Sequence, residues 1–208
     1  MESGNKAGIA AVTLIIGLVV GGLGGWWIAD MKMNNAITAD SSMTKTANQK
    51  SGVLVGGAMM VRDKDIVDNA VNAPNVSTVV SLVQKADLVE TLKSEGPFTV
   101  FAPNNDAFGK LDKATVESLQ MPENKAALAN ILTYHVVPGT YTTAALKVMA
   151  QKGETLTSVQ GQMLMPILED GKLMIQDATG GKVSLETPDV ISSNGVTHVI
   201  TSVLMPKS

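Results

Sequence analysis

Cysteine is absent from the sequence. That excludes a disulfide framework, a thiolate zinc site, a cysteine nucleophile and a lipid anchor attached through a cysteine. Aromatic residues make up only 3% of the chain, so any core must be aliphatic, which argues against surfaces that stack bases or sugar rings. Positive charge is scarce where it would matter for nucleic acid. Four Lys and three acidic residues precede Arg62, while the remainder carries twelve basic and sixteen acidic residues, a net −4. A mildly acidic domain lacks the clustered Lys and Arg that phosphate contacts need, so no nucleic-acid partner is expected. Histidine is limited to His135 and His198, and neither has a carboxylate or second His at regular ligand spacing. No metal, cofactor or catalytic residue is expected. Ser192 and Ser193 lack a nucleophile-elbow context, and Gly56-Gly57 and Gly180-Gly181 read as turn glycines rather than a phosphate loop. The twelve Met, including Met59-Met60 and the Met163/Met165 pair, read as fillers of a core poor in aromatics rather than as copper ligands.

What is abundant is apolar sequence. Residues 8–29 form an uncharged run of 22 residues. As a helix it spans roughly 33 Å, about the thickness of the hydrocarbon core. Trp26 and Trp27 stand at its end, where indoles favour the membrane–water interface. The run is longer than a signal-peptide core and no small-x-small cleavage site follows, so it reads as an uncleaved transmembrane anchor. The short flank at residues 1–7 is expected in the cytoplasm and the large C-terminal part on the other side, giving a single pass through a bacterial inner membrane with the domain in the periplasm. Thr13, Gly17, Gly21 and Gly25 recur every four residues and form a small-residue stripe on a helix, which suits a helix–helix partner in the bilayer. Residues 30–52, rich in Asn, Ala, Ser, Thr and Lys without a period, read as a linker.

The folded part is expected over residues 53–208. Apolar spacing predicts helices over 65–73 and, after Ser77 as a cap, through Ala86, with Leu88 and Leu92 continuing the pattern until Gly96-Pro97. Residues 98–102 read as a strand. Asn104 or Asn105 caps a short helix carrying Ala107, Phe108 and Leu111, and Pro122 opens another that ends near Tyr134. His135-Val136-Val137 is extended, and residues 142–150 form a helix. Beyond Gly153, strands are expected at 155–159, 163–168, 172–176, 182–186, 189–192 and 196–204, with hairpin turns at Asp170-Gly171 and Asn194-Gly195. Helices first and strands last describe an α+β domain.

Three blocks in order then carry a resemblance: Gly96 to Leu111 (GPFTVFAPNNDAFGKL), Tyr134 to Gly139 (YHVVPG) and Ser193 to Pro206 (SNGVTHVITSVLMP). Together they resemble the signature blocks of fasciclin-type domains, with the leader VGGAMM and Lys64-Asp65-Ile66-Val67 similar to those of bacterial secreted members. The resemblance covers residues 53–206. It departs from the family pattern at Asn104, where Thr is frequent, which keeps a polar residue at the start of the helix. It implies a β-sandwich wedge with packed helices, and an interaction module without catalytic activity that works through protein partners at a membrane or cell surface. It also implies candidate partner contacts at Tyr134 and His135, the region implicated in integrin binding in animal members, and at Asp189 and Ile191 of Pro188-Asp189-Val190-Ile191, with Lys64-Asp65-Ile66 a second motif of that kind. The residues themselves favour a plainer role. Ile131, Leu132, Val136 and Val137 flank His135 like core, so it reads as a buried histidine with internal hydrogen bonds. Two functions are expected from these features: a membrane-anchored adhesion or interaction module, or an accessory subunit of a larger respiratory, photosynthetic or transport complex docked through the glycine stripe.

Overall fold

The computed structural model describes residues 52–207. The run 8–29 with Thr13, Gly17, Gly21 and Gly25, the flank before it and residues 30–51 lie outside the described residues. Among the described residues no helix is long and apolar enough to cross a membrane.

The described part opens with a hairpin of β1 (Gly52–Val55) and β2 (Ala58–Val61). Gly56 and Gly57 both have positive φ (57° and 88°), as a two-residue hairpin turn of matching twist requires. Asp65 accepts a hydrogen bond from Asp68 N–H (2.7 Å) and caps α1 (Ile66–Ala70). A 3₁₀ turn at Pro74–Val76 leads into α2 (Ser77–Lys85), followed by α3 (Val89–Lys93). The expected continuation from α2 through Leu92 is broken at Asp87, whose φ is +57°. Then come β3 (Phe98–Pro103), α4 (Asn105–Gly109), α5 (Lys113–Leu119), α6 (Lys125–Tyr134), β4 (Val136–Pro138) and α7 (Thr143–Lys152). The remaining strands are β5 (Leu156–Thr157), β6 (Met163–Glu169), β7 (Lys172–Gln176), β8 (Lys182–Ser192) and β9 (Gly195–Ile200).

Further details differ from the sequence reading, beyond the shorter α1 and β5. Ser77 does not cap α2. The amide of Asn105 does so from a distance, its Oδ1 accepting Thr78 N–H at 3.0 Å, while Asn104 caps α4 by accepting Ala107 N–H at 2.7 Å. The helix α5 is not legible in the sequence, because it has no fully buried residue and only Val116 and Leu119 turn a half-buried apolar edge inward, too few to set a period. The separate strands at 182–186 and 189–192 are one strand, β8, with register shifts between Leu185 and Val190. Its first part pairs with β7 and its second with β9, and Pro188, which has no N–H to give, sits at the irregularity. Finally, the strand expected over 196–204 ends at Ile200.

Seven strands form one sheet in the order β4-β3-β9-β8-β7-β6-β5. All neighbours are antiparallel except β3 and β9, which run parallel with Phe98 beside Gly195 and Pro103 beside Ile200. Val159 N–H, just beyond β5, donates to Val136 O of β4 at 2.7 Å, so the two ends of the strand order meet. The curled sheet encloses Phe101, Tyr134, Leu146, Leu164, Ile175, Ile200 and Leu204. Its other face at β3, β8 and β9 packs Ala102, Val190 and Val199 against Val79, Leu82, Leu128 and Leu132 of the helices and Val55 and Met60 of the hairpin. The sandwich implied by the resemblance is thus a single sheet curled around one core, with helices covering a second.

β9 fits tightly. A Cβ on Gly195 would lie 2.0 Å from the backbone oxygen of Phe98. Gly195→Ala is therefore expected to destabilise the domain at the upper end of the about 1–3 kcal/mol typical of overpacking, read as a lowered midpoint in urea unfolding. An unchanged midpoint would show that the β3–β9 contact yields easily.

Candidate functional site

Tyr134 and His135 close α6 and are both buried. The Tyr134 hydroxyl donates to Met163 O (3.0 Å) and accepts from Ala178 N–H (2.8 Å), tying the helix to β6 and to the β7–β8 loop. Burial pushes its phenol pKa up, against the opposing pull of the Ala178 hydrogen bond. His135 Nδ1 lies 2.8 Å from Ile131 O, and Nε2 accepts Leu204 N–H at 3.0 Å. Only the neutral tautomer protonated on Nδ1 satisfies both contacts. Burial pushes the His135 pKa down to about 4, outweighing the Ile131 carbonyl and the charge of Asp177.

His198, at the centre of β9, uses the opposite tautomer. Its Nε2–H donates to Tyr141 O (2.8 Å), its Nδ1 accepts Asp189 N–H (3.1 Å), and its ring stacks on Phe101 with centroids 5.6 Å apart. Burial pushes its pKa down as well. Asp189 has φ +56°. Its carboxylate accepts the backbone N–H of Thr143 at 2.8 Å and the Thr143 hydroxyl, and so caps α7 across the chain. Tyr134, His135 and Asp189 are thereby committed to internal contacts, and a partner would have to displace those contacts to engage their polar atoms.

Ile191 is placed differently. It is partly exposed and lines an open cleft of about 640 Å³ with Asp65, Lys93, Glu95, Thr140 and Ser193. The fold thus brings Ile191 together with Asp65 of the Lys64-Asp65-Ile66 motif and leaves Asp189 outside the cleft. Lys93 Nζ lies 2.7 Å from Asp68 and 3.9 Å from Asp65. Asn194 builds the floor: its Oδ1 accepts Ile66 N–H (3.0 Å), and its Nδ2 donates to Leu92 O (2.8 Å) and Ser94 O (3.2 Å). One amide therefore fixes α1, the end of α3 and the β8–β9 turn. Sequence reasoning missed Lys93, Glu95 and the hub role of Asn194, since Asn194-Gly195 signals only a local turn and its partners are about a hundred residues away. The cleft offers charges of both signs, hydroxyls and one aliphatic side chain, which suits a polypeptide segment. Among the described residues no group of three His, Asp or Glu is placed to hold a metal ion.

The buried histidines make stability depend on pH. An unfolded His titrates near 6.5 and folded His135 near 4, so between these values the unfolded chain binds more protons. The contribution is full above pH 6.5 and is lost as pH falls toward 4, by roughly 3 kcal/mol, with His198 acting in the same direction. Chemical denaturation at pH 7.5 and at pH 5 checks this; equal stability at both would contradict it. His135→Ala should cost about 1–3 kcal/mol at pH 7.5 and flatten part of the acid dependence. A variant that keeps its stability while losing a partner would instead make His135 a binding residue.

Comparison with known proteins gives a consistent result. The fasciclin domain matches residues 74–206. Protein sll1483 of Synechocystis sp. is 44% identical over 165 residues, covering 79% of this chain and 86% of that protein. Uncharacterized protein sll1735 of the same organism is 40% identical over 141 residues, covering 68% and 97%. The pig protein named transforming growth factor-beta-induced protein ig-h3 is 34% identical over 130 residues, 62% of this chain but 17% of that protein. A solved FAS1 domain pair from the insect cell adhesion molecule fasciclin I has the same fold, with TM-score 0.63 at 21% identity over 70% of this chain and 52% of the other. The three sequence blocks lie on β3 and α4, on the end of α6 with β4, and on the β8–β9 turn with β9 and the tail, so they supply the adjacent strands β4, β3 and β9 of the sheet, and the chain belongs to the fasciclin domain family.

Proposed function

We propose that this chain is a membrane-anchored, extracytoplasmic protein-interaction or adhesion module without a catalytic role, held by residues 8–29 in a bacterial inner membrane with its domain on the periplasmic side. The observation that carries the interaction reading is the division of polar groups. Tyr134, His135, His198 and Asp189 are spent on internal hydrogen bonds, whereas Glu95 and Ile191, beside the α1 cap Asp65, face an open cleft. A surface of mixed charge with one aliphatic anchor resembles the composition of transient protein contacts more than that of a small-molecule pocket. Membership of the fasciclin family supports the same reading. The anchor rests on the length and lack of charge of residues 8–29. A second reading, an accessory subunit of a larger membrane complex, is favoured by the stripe of Thr13, Gly17, Gly21 and Gly25.

Purification of the full chain from native membranes in mild detergent tests both. Partner capture through the cleft should fall at least about tenfold, the loss expected of a central contact, in the double variant Glu95→Arg/Ile191→Asp with the thermal midpoint little changed. Full capture by that variant, together with loss on Gly17→Leu/Gly21→Leu, would favour the accessory subunit. Release of the wild-type chain from membranes by alkaline carbonate would overturn the anchor.

A further inference from the structure

The β1–β2 hairpin breaks the usual pattern of an exposed two-stranded sheet. Residues 52–61 read GVLVGGAMMV and contain no polar side chain. On the inner side Val55 and Met60 are buried in the core. On the outer side Leu54 and Met59 stand directly opposite each other and are 62% and 57% exposed. Gly52 and Val61 form the next pair on that same side, and the Met59 sulfur lies 2.8 Å from where a Cβ on Gly52 would sit. An apolar strip therefore runs along the outer face to the point where the chain enters the domain. Other exposed apolar residues are differently set: Met163 and Met165 share their surface with Gln162, Gln176, Asp177 and Lys207. The matched fasciclin domain begins at Pro74, after the hairpin.

We propose that the outer face of the β1–β2 hairpin lies on the lipid surface of the membrane that holds the chain. The inference rests on the reading of residues 8–29 as a membrane anchor. Residues 30–51 separate that run from Gly52, and a random coil of this length spans about 25 Å. The strip is thus the part of the described domain tied closest to the bilayer, and the tether has already met the cost of bringing the two together. Lipid is also the occupant that suits a strip of aliphatic and thioether side chains with no hydrogen-bonding group to satisfy. Arg62 and Lys64 follow directly and are exposed, with Asp63 between them, placing two cations where anionic headgroups would meet the edge of the strip. In this arrangement the hairpin sets the orientation of the domain, and the cleft at Asp65 follows it by only a few residues.

The lack of native cysteine makes the test direct. Leu54→Cys, Met59→Cys and, as references, Val148→Cys and Leu168→Cys are each made in the full chain, labelled with an environment-sensitive fluorophore and reconstituted in vesicles of phosphatidylethanolamine and phosphatidylglycerol. All four positions are exposed, and matching thermal midpoints check that each variant folds. Quenching by lipids carrying nitroxides on their acyl chains should be several-fold stronger at 54 and 59 than at 148 and 168. Equal quenching at all four positions overturns the proposal. So does energy transfer between labels on two copies without lipid quenching, which would make the strip a contact between copies. Alkaline carbonate extraction of the same vesicles separates the two levels. Release of the chain sinks the anchor and the proposal together, whereas retention with labels in water sinks the lipid contact alone.

Discussion

Parallel pairing of Phe98–Pro103 with Gly195–Ile200 is the constraint on which the rest of the domain depends. A parallel pair cannot close through a tight turn, so everything between the two strands must be accommodated as a crossover. Helices α4 to α7 and strands β4 to β8 all belong to that crossover. The inserted strand is buried along its whole length. Ile200 feeds the core inside the curled sheet, and Val199 feeds the core beneath the helices. Neither of these two apolar clusters is complete without this strand, whose start is held by the Asn194 amide and by the close approach of Gly195 to Phe98.

Beyond Ile200 the chain leaves the sheet yet stays fixed, and side chains take over from the ladder. His135 holds Leu204 N–H, Asp177 holds Met205 N–H at 3.1 Å, and Gln162 holds Lys207 through its backbone N–H and carbonyl, each at 2.8 Å. Asp177 also accepts from Thr179 and Gly181 and so shapes the β7–β8 loop that receives the tail. Tyr134, His135, Asp177 and His198 follow one logic: each satisfies backbone that regular secondary structure leaves unpaired. The Tyr-His block is prominent in sequence because it answers several such demands at once.

Legibility in the sequence followed how local each cause was. The strand at 98–102, the helix ending at Tyr134 and the Asp170-Gly171 turn are set by neighbouring residues and were placed from spacing and turn chemistry. The hairpin at Gly52–Val61 hid its strand period because both faces are apolar. Helix α5 hid because its inward edge is only Val116 and Leu119, both half-buried. Pro188 suggested a break where the chain only bends. The cap on α7 comes from Asp189, 46 residues away, and the floor of the cleft from Asn194, more than 90 residues from Leu92 and Ser94. Burial of His135 was expected from its aliphatic neighbours; its tautomer depends on Leu204 and needed the fold.

The late position of β9 has a consequence in time. A chain made from its amino end carries both half-built cores and an unpaired edge of β3 until Gly195–Ile200 has been made. Until then no compact intermediate can satisfy β3, Phe101 or the helix faces together. A product cut short before Gly195 is not a slightly shortened domain but an open one, with its apolar walls on display. The closing strand thus marks completeness: with Gly195–Ile200 in place both cores are shut, and without it both stand open.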